Sequence, residues 1–493
     1  MVTRTTAAPS SPAVQRMSKV DTAWLRMDSA ANLMMITGVW VLKPGISRQA
    51  LCQRITERLL CYPRFTQRAE EDLTGANWVH DAAFDLDHHV LSERLPRHRK
   101  GGARQALQQR VAALAVEALD PQRPLWQFHL IENHDGGAAL IARIHHCIAD
   151  GMALIAVMMS LVDGGQEPPR RGQKPRAATG DVAAEWLGEA VIKPLTGMAV
   201  KLLDVAGDSV AKSMALATKP VEGMQASWQQ TLGWARLGGQ VVSDLAALAL
   251  MSDDAATSLK ARPSATKAVA WCEPISLEQV KAVGKALGCS VNDVLLSCVA
   301  GAFGQYLRER GEPIEGQDIR AMVPVNLRPM EQAWKLGNRF GLVPLVLPVG
   351  QSHPLERLFT VRQRMQALKG STQPLLAFGL LSVAGLLVKP AQEAMLNLFS
   401  RKTTAVMTNV PGPAEKLKFC GSTLEQVMFW VPQSGDIGVG VSILSYGGGV
   451  QFGLITDTAM CPNPQEIIDR FAPQFEQLLW LSLMLPTAAQ TEG

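Results

Sequence analysis

The sequence lacks the features that define secreted, disulfide-bonded or zinc-binding proteins. Its eight cysteines are scattered and form no Cys-x-x-Cys pair, which predicts reduced, mostly buried thiols and neither a disulfide framework nor a zinc site. Residues 1–16 are rich in Ala, Ser, Thr and Pro and contain no apolar core segment, so they predict a disordered tail and not a secretory signal. These absences favour a cytosolic protein.

No segment predicts a transmembrane helix. The uncharged stretch 371–388 falls short of the ~20 predominantly apolar residues that a spanning helix needs, and Pro374 and Gly385 interrupt it. It predicts a buried or membrane-touching helix instead. The net charge is only +4, and no basic helix interleaved with aromatic residues is present, which argues against nucleic acid as a partner.

What is present indicates two α/β domains in which helices are layered on sheets. A chain of 493 residues exceeds what one core usually supports, and both halves mix strand-like and helical apolar patterns. We expect a disordered tail at 1–16, an N-terminal domain at 17–165, a linker with bridging helices at 166–262 and a C-terminal domain at 263–493. The linker helices bridge the domains, lie on a lipid surface, or do both.

The reaction centre is predicted at two adjacent histidines. The apolar run 138–144 has the pattern of a strand in a hairpin and ends at His145 and His146, and Asp150 and Gly151 then open an apolar helical run. A neutral imidazole is basic at cytosolic pH and can remove the proton from a hydroxyl that attacks an activated carbonyl. Asp150 is better placed to hold the loop than to act, and Gly151 permits the sharp turn.

Patterns for other kinds of catalysis are missing. The chain has no Gly-x-Ser-x-Gly elbow for a serine acyl-enzyme and no His-Glu-x-x-His or Asp/His cluster for a metal. We therefore expect direct transfer, with the acceptor as the nucleophile and without a metal. An isolated His-His pair is weak evidence, whereas the spacing His-His-x-x-x-Asp-Gly between a strand and an apolar helix is far more restrictive.

His145-His146-x-x-x-Asp150-Gly151 resembles the active-site motif of the CoA-dependent acyltransferase superfamily, which includes chloramphenicol acetyltransferase and peptide-synthetase condensation domains. Further stretches are similar to bacterial wax ester synthase/acyl-CoA:diacylglycerol acyltransferases and follow that family's order along nearly the whole chain. These stretches are Ser18-x-Val20-Asp21, Pro63-x-Phe65, Phe84-Asp85-Leu86-x-x-His89-Val90, Pro124-Leu125-Trp126, Val291-Asn292-Asp293-Val294, Val323-Pro324-Val325-Asn326-Leu327-Arg328, Gly337-Asn338-x-x-Gly341 and Thr408-Asn409-Val410-Pro411-Gly412-Pro413.

The resemblance implies two chloramphenicol-acetyltransferase-like domains with a central channel that contains the histidine loop. It implies transfer of a long-chain acyl group from acyl-CoA, a co-substrate and not a cofactor, to a fatty alcohol or diacylglycerol. His146 would be the general base, and His145 would help to position a loop that Asp150 and Gly151 shape. Asn292 would cap its helix, stabilise the oxyanion, or do both.

The resemblance also implies a cytoplasmic protein that associates peripherally with the inner membrane face or with lipid inclusions. One alternative is a superfamily member with a different hydroxyl or amine acceptor, although the chain has no carrier-protein Asp-Ser-Leu motif. Another is a lipid-surface structural protein without turnover, based on the apolar stretches 180–255 and 371–388. The preferred acceptor and the acyl chain length do not follow from these motifs.

Overall fold

The computed structural model describes residues 14–72, 74–96, 102–165, 252–326, 336–338, 340–369, 397 and 400–484. Most of the expected bridging linker and the stretch 371–388 lie outside these residues. Within them, the chain forms two large sheets with helices on their faces. This is the mixed α/β architecture that the sequence predicts.

The strands are β1 (Gln15–Arg16), β2 (Met35–Lys43), β3 (Gln67–Asp72), β4 (Gly75–His80), β5 (Val90–Glu93), β6 (Trp126–His134), β7 (Gly137–His145), β8 (Lys267–Trp271), β9 (Ile275–Ser276), β10 (Ile319–Asn326), β11 (Phe340–Leu347), β12 (Ala405–Pro411), β13 (Lys418–Phe419), β14 (Ser422–Trp430), β15 (Val439–Tyr446) and β16 (Gly449–Asp457). The helices are α1 (Lys19–Arg26), α2 (Arg48–Arg54), α3 (Gly102–Ala115), α4 (Gly151–Leu161), α5 (Leu277–Ala286), α6 (Val291–Glu309), α7 (Pro354–Lys369) and α8 (Gln465–Met484).

The first large sheet has the strand order β13-β14-β2-β7-β6-β5. The predicted hairpin is confirmed, because β6 and β7 pair antiparallel and join through Asp135 and Gly136, whose φ values are 45° and 73°. Every residue of β7 is buried, since its alternate side chains enter apolar cores on opposite faces of the sheet. The hairpin therefore delivers His145, the last residue of β7, to the protein interior.

The second large sheet has the order β11-β10-β12-β15-β16-β8, with β9 also paired to β16. Helices α5, α6, α7 and α8 pack on it and enclose an apolar core in which most of α6 is buried. Among the described helices, none alone has the length and hydropathy to cross a membrane. By length and composition α5 and α6 pass only as a pair, and they meet at a 100° bend.

The second half of the chain completes the first sheet. Strand β14 pairs antiparallel with β2, with Thr423 opposite Lys43 and Trp430 opposite Thr37. The neighbouring β13 contributes Phe419, a fully buried ring 5.2 Å from that of Trp40 in an edge-to-face contact. The two predicted domains therefore share a sheet, because residues beyond the linker supply two of its strands.

Two predicted boundaries differ from the structure. Gln15–Arg16, expected in the disordered tail, form β1 and pair with β4. Because both residues are polar, the pattern of apolar residues did not predict this strand. Residues 252–262, expected in the linker, pack on the second sheet instead. Leu259 is fully buried in that core, and Asp254 accepts a hydrogen bond from the backbone N–H of Arg320 at 2.9 Å.

Replacing Phe419 by alanine should destabilise the fold strongly, because its buried ring joins strands from the two halves. We expect a loss of about 3–5 kcal/mol in the free energy of unfolding, measured by urea denaturation. Phe359→Ala is the matched control: it deletes the same ring on α7 at a position that is 45% exposed and should change stability by about 0.5 kcal/mol or less. Equal losses would contradict the shared sheet.

Candidate active site

The histidine loop is held by elements from both halves of the chain. The backbone N–H of His146 donates to the carbonyl of Met34 at 2.7 Å. From the other half, the side-chain amide of Asn338 donates to the carbonyl of His146 at 2.8 Å. The carbonyl of Gly337 accepts from the backbone N–H of Asp150 at 3.3 Å. The loop conformation therefore depends on contacts between sequence-distant segments.

The His146 ring is packed between aromatic side chains. It stacks on Trp24 of α1, with ring centroids 4.1 Å apart and planes inclined by 17°, and it contacts Phe340 of β11 at 5.4 Å. Burial lowers the pKa of His146 to about 3, because an apolar environment disfavours the charged imidazolium. The ring is therefore neutral near pH ~7, which is the form a general base requires.

Two adjoining cavities meet at the start of α4. The first, which we call the histidine cavity, has about 930 Å³ of empty space including its mouth, and His146 and Asn409 line it. The second, the apolar cavity, has about 860 Å³ and is lined by predominantly apolar residues, many of them from β2, β7, α4 and β14. The residues that border both are Gly151, Ile155, Val410 and Phe429.

His145 lines neither of these cavities. Its Nδ1 accepts the backbone N–H of Cys147 at 3.1 Å, and its Nε2 lies 3.3 Å from a carboxylate oxygen of Asp28. Burial opposes a charge on this ring, while Cys147 and Asp28 raise its pKa to about 10. The Nε2 proton is directed at the Asp28 carboxylate, which favours the charged ring. Its surroundings fit a role in positioning the loop.

Asp150 and Gly151 form the junction between the loop and α4. A carboxylate oxygen of Asp150 accepts the backbone N–H of Ala153 at 2.9 Å and so caps the helix. Gly151 is the first residue of α4 and does not have a positive φ, so the expected need for glycine in a sharp turn is wrong. A Cβ there would meet nothing within 4 Å. The glycine instead leaves space where the two cavities meet.

Asn292 lies at the start of α6 and does not line the histidine cavity. The capping alternative is wrong for it, because Ser290 and Asp293 form the capping box of that helix. Its side-chain oxygen accepts from the amide nitrogen of Asn409 at 3.1 Å, and Asn409 does line the cavity. Within the described part of the chain, no group of His, Cys, Asp or Glu side chains could hold a metal ion.

Sequence reasoning assigned no role to the aromatic residues around His146. Trp24 lies three residues after Asp21, within one helical turn, and Phe340 lies two residues after Asn338. Trp24 follows one of the stretches that carry the family resemblance and Phe340 lies within another, which was the available signal. Neither aromatic residue could be placed against the histidine from the sequence, because the contacts join residues more than a hundred positions apart.

Comparison with known proteins identifies the class and then the family. The family model described as "Wax ester synthase/diacylglycerol acyltransferase catalytic domain" matches residues 17–295. A second model, described as "WS/DGAT C-terminal domain", matches residues 336–479. The first match covers more than half of the chain, and these matches make the protein an acyltransferase. The chain belongs to the wax ester synthase/diacylglycerol acyltransferase family, as its motifs predict.

Individual relatives agree with this assignment. A protein named probable diacylglycerol O-acyltransferase tgs1, from Mycobacterium tuberculosis H37Rv, is 28% identical over 422 residues, which cover 84% of each chain. The solved wax ester synthase/diacylglycerol acyltransferase of Marinobacter aquaeolei VT8 matches with a TM-score of 0.62 and 20% identity, over 95% of this chain and 100% of that one. The first condensation domain of the CDA synthetase matches with a TM-score of 0.54 and 14% identity, over 96% and 97%. These likenesses confirm the predicted two-domain, chloramphenicol-acetyltransferase-like fold.

The buried neutral state of His146 predicts a pH dependence of stability. An unfolded histidine titrates near pH ~6.5, whereas burial lowers the pKa of His146 in the folded protein to about 3. Its contribution to stability is therefore complete above pH ~6.5 and is lost as the pH falls toward the folded value. Relative to His146→Gln, the wild type should lose about 1 kcal/mol per pH unit between roughly pH 6 and 4, measured by urea unfolding. Parallel pH curves for the two proteins would contradict this.

Proposed function

We propose that the protein transfers a long-chain fatty acyl group from acyl-CoA to a fatty alcohol or to diacylglycerol, giving wax ester or triacylglycerol and free CoA. The observation that carries the proposal is a neutral, buried histidine in a cavity that adjoins a large apolar one. Pockets of this size and lining suit ligands with long apolar parts. The names of the relatives support both acceptors.

In the proposed reaction, Nε2 of His146 removes the hydroxyl proton of the acceptor while the acceptor oxygen attacks the thioester carbonyl. A C–O bond forms, the tetrahedral oxyanion collapses, and the C–S bond breaks. The proton passes from the imidazolium to the CoA thiolate, so the histidine is regenerated. No bond forms between substrate and protein, and the reaction uses neither an acyl-enzyme nor a cofactor.

Asn292 and Asn409 supply the oxyanion donor in this scheme. The amide nitrogen of Asn409 carries two N–H bonds, of which one is directed to Asn292. The other remains for the oxyanion, because Asn409 lines the histidine cavity. One such donor typically contributes about 3–4 kcal/mol to transition-state stabilisation. Asn292 then acts by orienting Asn409. Asp150 and Gly151 shape the junction between the histidine loop and the N-terminus of α4.

The apolar cavity takes the fatty chain of one substrate. Its α4 wall contains Met158 and Met159 beside Ile155, and unbranched methionine side chains adapt to irregular apolar ligands. Each Å² of chain surface removed from water contributes about 25 cal/mol. Because both acceptors are poorly soluble in water, the proposal includes peripheral association with the inner membrane face or with cytoplasmic lipid inclusions.

Purified protein with palmitoyl-CoA should release CoA when hexadecanol or dipalmitoylglycerol is added. His146→Ala should lower kcat by about 10²–10⁴-fold, because a positioned general base contributes that much. His88→Ala removes a half-exposed histidine elsewhere and should leave kcat unchanged. Retained activity in His146→Ala would remove the assigned base, and a preference for hexadecylamine would favour a different acceptor class.

Gly38→Leu should shorten the apolar cavity. Gly38 lines it from β2, and a Cβ there would lie 3.7 Å from the nearest atom, so the backbone tolerates a side chain. The rate with a C16 chain should fall relative to that with a C8 chain, for the substrate whose chain occupies the cavity. Gly38→Ala is the control and should keep the wild-type preference. An unchanged ratio for donor and acceptor alike would contradict the assignment.

A further inference from the structure

Two stretches without a role in the proposed reaction, Ser18-x-Val20-Asp21 and Gly337-Asn338-x-x-Gly341, meet beside His146. The carboxylate of Asp21 is buried, and its Oδ1 accepts the backbone N–H of Asn338 at 3.0 Å and the side-chain amide at 2.8 Å. The same amide nitrogen donates to the carbonyl of His146 at 2.8 Å. Because an amide nitrogen has only two hydrogens, these two bonds use both of them and fix the plane of the side chain.

The segments that carry Asp21 and Asn338 also carry the aromatic residues that contact the His146 ring. Helix α1 carries Asp21 and, three residues later on the same face, Trp24, whose ring stacks on His146 at 4.1 Å. Phe340, two positions after Asn338 in the chain, contacts the same ring at 5.4 Å. The anchor of the amide and the aromatic packing of the imidazole are therefore parts of one rigid unit.

Two buried polar atoms in this unit have complementary chemistry. Among the described residues, neither Nδ1 of His146 nor Oδ1 of Asn338 has a hydrogen-bond partner. Burial lowers the pKa of His146, while the carbonyl of its own backbone and, less strongly, the Asn338 side chain act in the opposite direction, as nearby acceptors do. A proton on Nδ1, facing these acceptors, leaves the lone pair on Nε2, the other ring nitrogen.

We infer that Asp21 and Asn338 are positioning residues for the general base. Asp21 orients the Asn338 amide so that its nitrogen holds the His146 carbonyl and its oxygen accepts the Nδ1 proton. The imidazole is then fixed as the tautomer whose Nε2 lone pair faces the acceptor hydroxyl. The inference rests on the proposed function, since it takes His146 as the base.

Single substitutions separate positioning from binding. Asp21→Asn and Asn338→Leu should lower kcat by about 10–100-fold, as loss of a group that orients a reacting one does. KM for acyl-CoA and acceptor should stay within about twofold, since neither residue lines the two cavities. Asp254→Asn is the matched control: it alters another buried carboxylate that accepts a backbone N–H, and it should lower thermal stability without changing kcat.

The exchange Asp21→Asn/Asn338→Asp distinguishes positioning from a merely structural role. It restores a carboxylate–amide pair, so thermal stability should recover relative to either single substitution. It also moves the carboxylate next to Nδ1, which stabilises the imidazolium and raises the pKa of His146. The acidic limb of the kcat/KM profile should therefore move to higher pH by about one unit or more. Recovered stability with an unchanged limb and wild-type kcat would overturn the inference.

The tautomer of His146 can be measured without an activity assay. Nitrogen-15 NMR of labelled imidazoles, with the His146 signals assigned by their loss in His146→Gln, should show a protonated Nδ1 and an unprotonated Nε2. Asn338→Leu should convert this to a mixture. If the wild type shows this tautomer but transfers no acyl group, the proposed function fails and the positioning stands. If the wild type is active and shows the opposite tautomer, the positioning fails alone.

Discussion

The structure depends on burying one imidazole without a charge. His146 is 3% exposed and lies between Trp24 and Phe340, so a proton on it is strongly disfavoured. That environment keeps the imidazole neutral and makes its pKa sensitive to any loss of packing. Both of these aromatic contacts come from segments distant in the chain, and since Phe340 lies in the second half, the two halves must be docked before the environment is complete.

The two halves are held together by a shared sheet as well as by contacts between their surfaces. β14 extends the first sheet beside β2, and the Gly337–Asn338 segment bonds to the histidine loop. The aromatic cluster beneath the hairpin completes the support: Trp126 is fully buried and donates its indole N–H to the carbonyl of Phe65 at 2.9 Å. His89 stacks on the same indole at 4.4 Å, so residues from several family motifs pack against one another here.

Local features were predictable from the sequence where local rules decide them. The β6–β7 hairpin follows from the apolar, strand-like runs on either side of Asp135-Gly136, and Asp150 at the start of an apolar run predicts the cap of α4. The alternation in 84–90 also predicts a strand, but Leu86–His88 form a 3₁₀ turn, because the Asp85 side chain accepts the backbone N–H of Asp87 at 3.0 Å and caps it. The partners of His146 could not be predicted, since hydrogen bonds over 192 residues of separation leave no periodic trace.

Strand β14 is synthesised long after β2, its partner in the sheet, and this affects the order in which the chain folds during synthesis. Until residue 430 has left the ribosome, β2 has no partner on one side, and a bare strand edge invites pairing with another chain. At ~5–20 residues per second that interval lasts tens of seconds. The N-terminal half therefore cannot mature on its own while it is being translated. The surroundings of His146 are likewise completed late, because Asn338 and Phe340 are synthesised long after it.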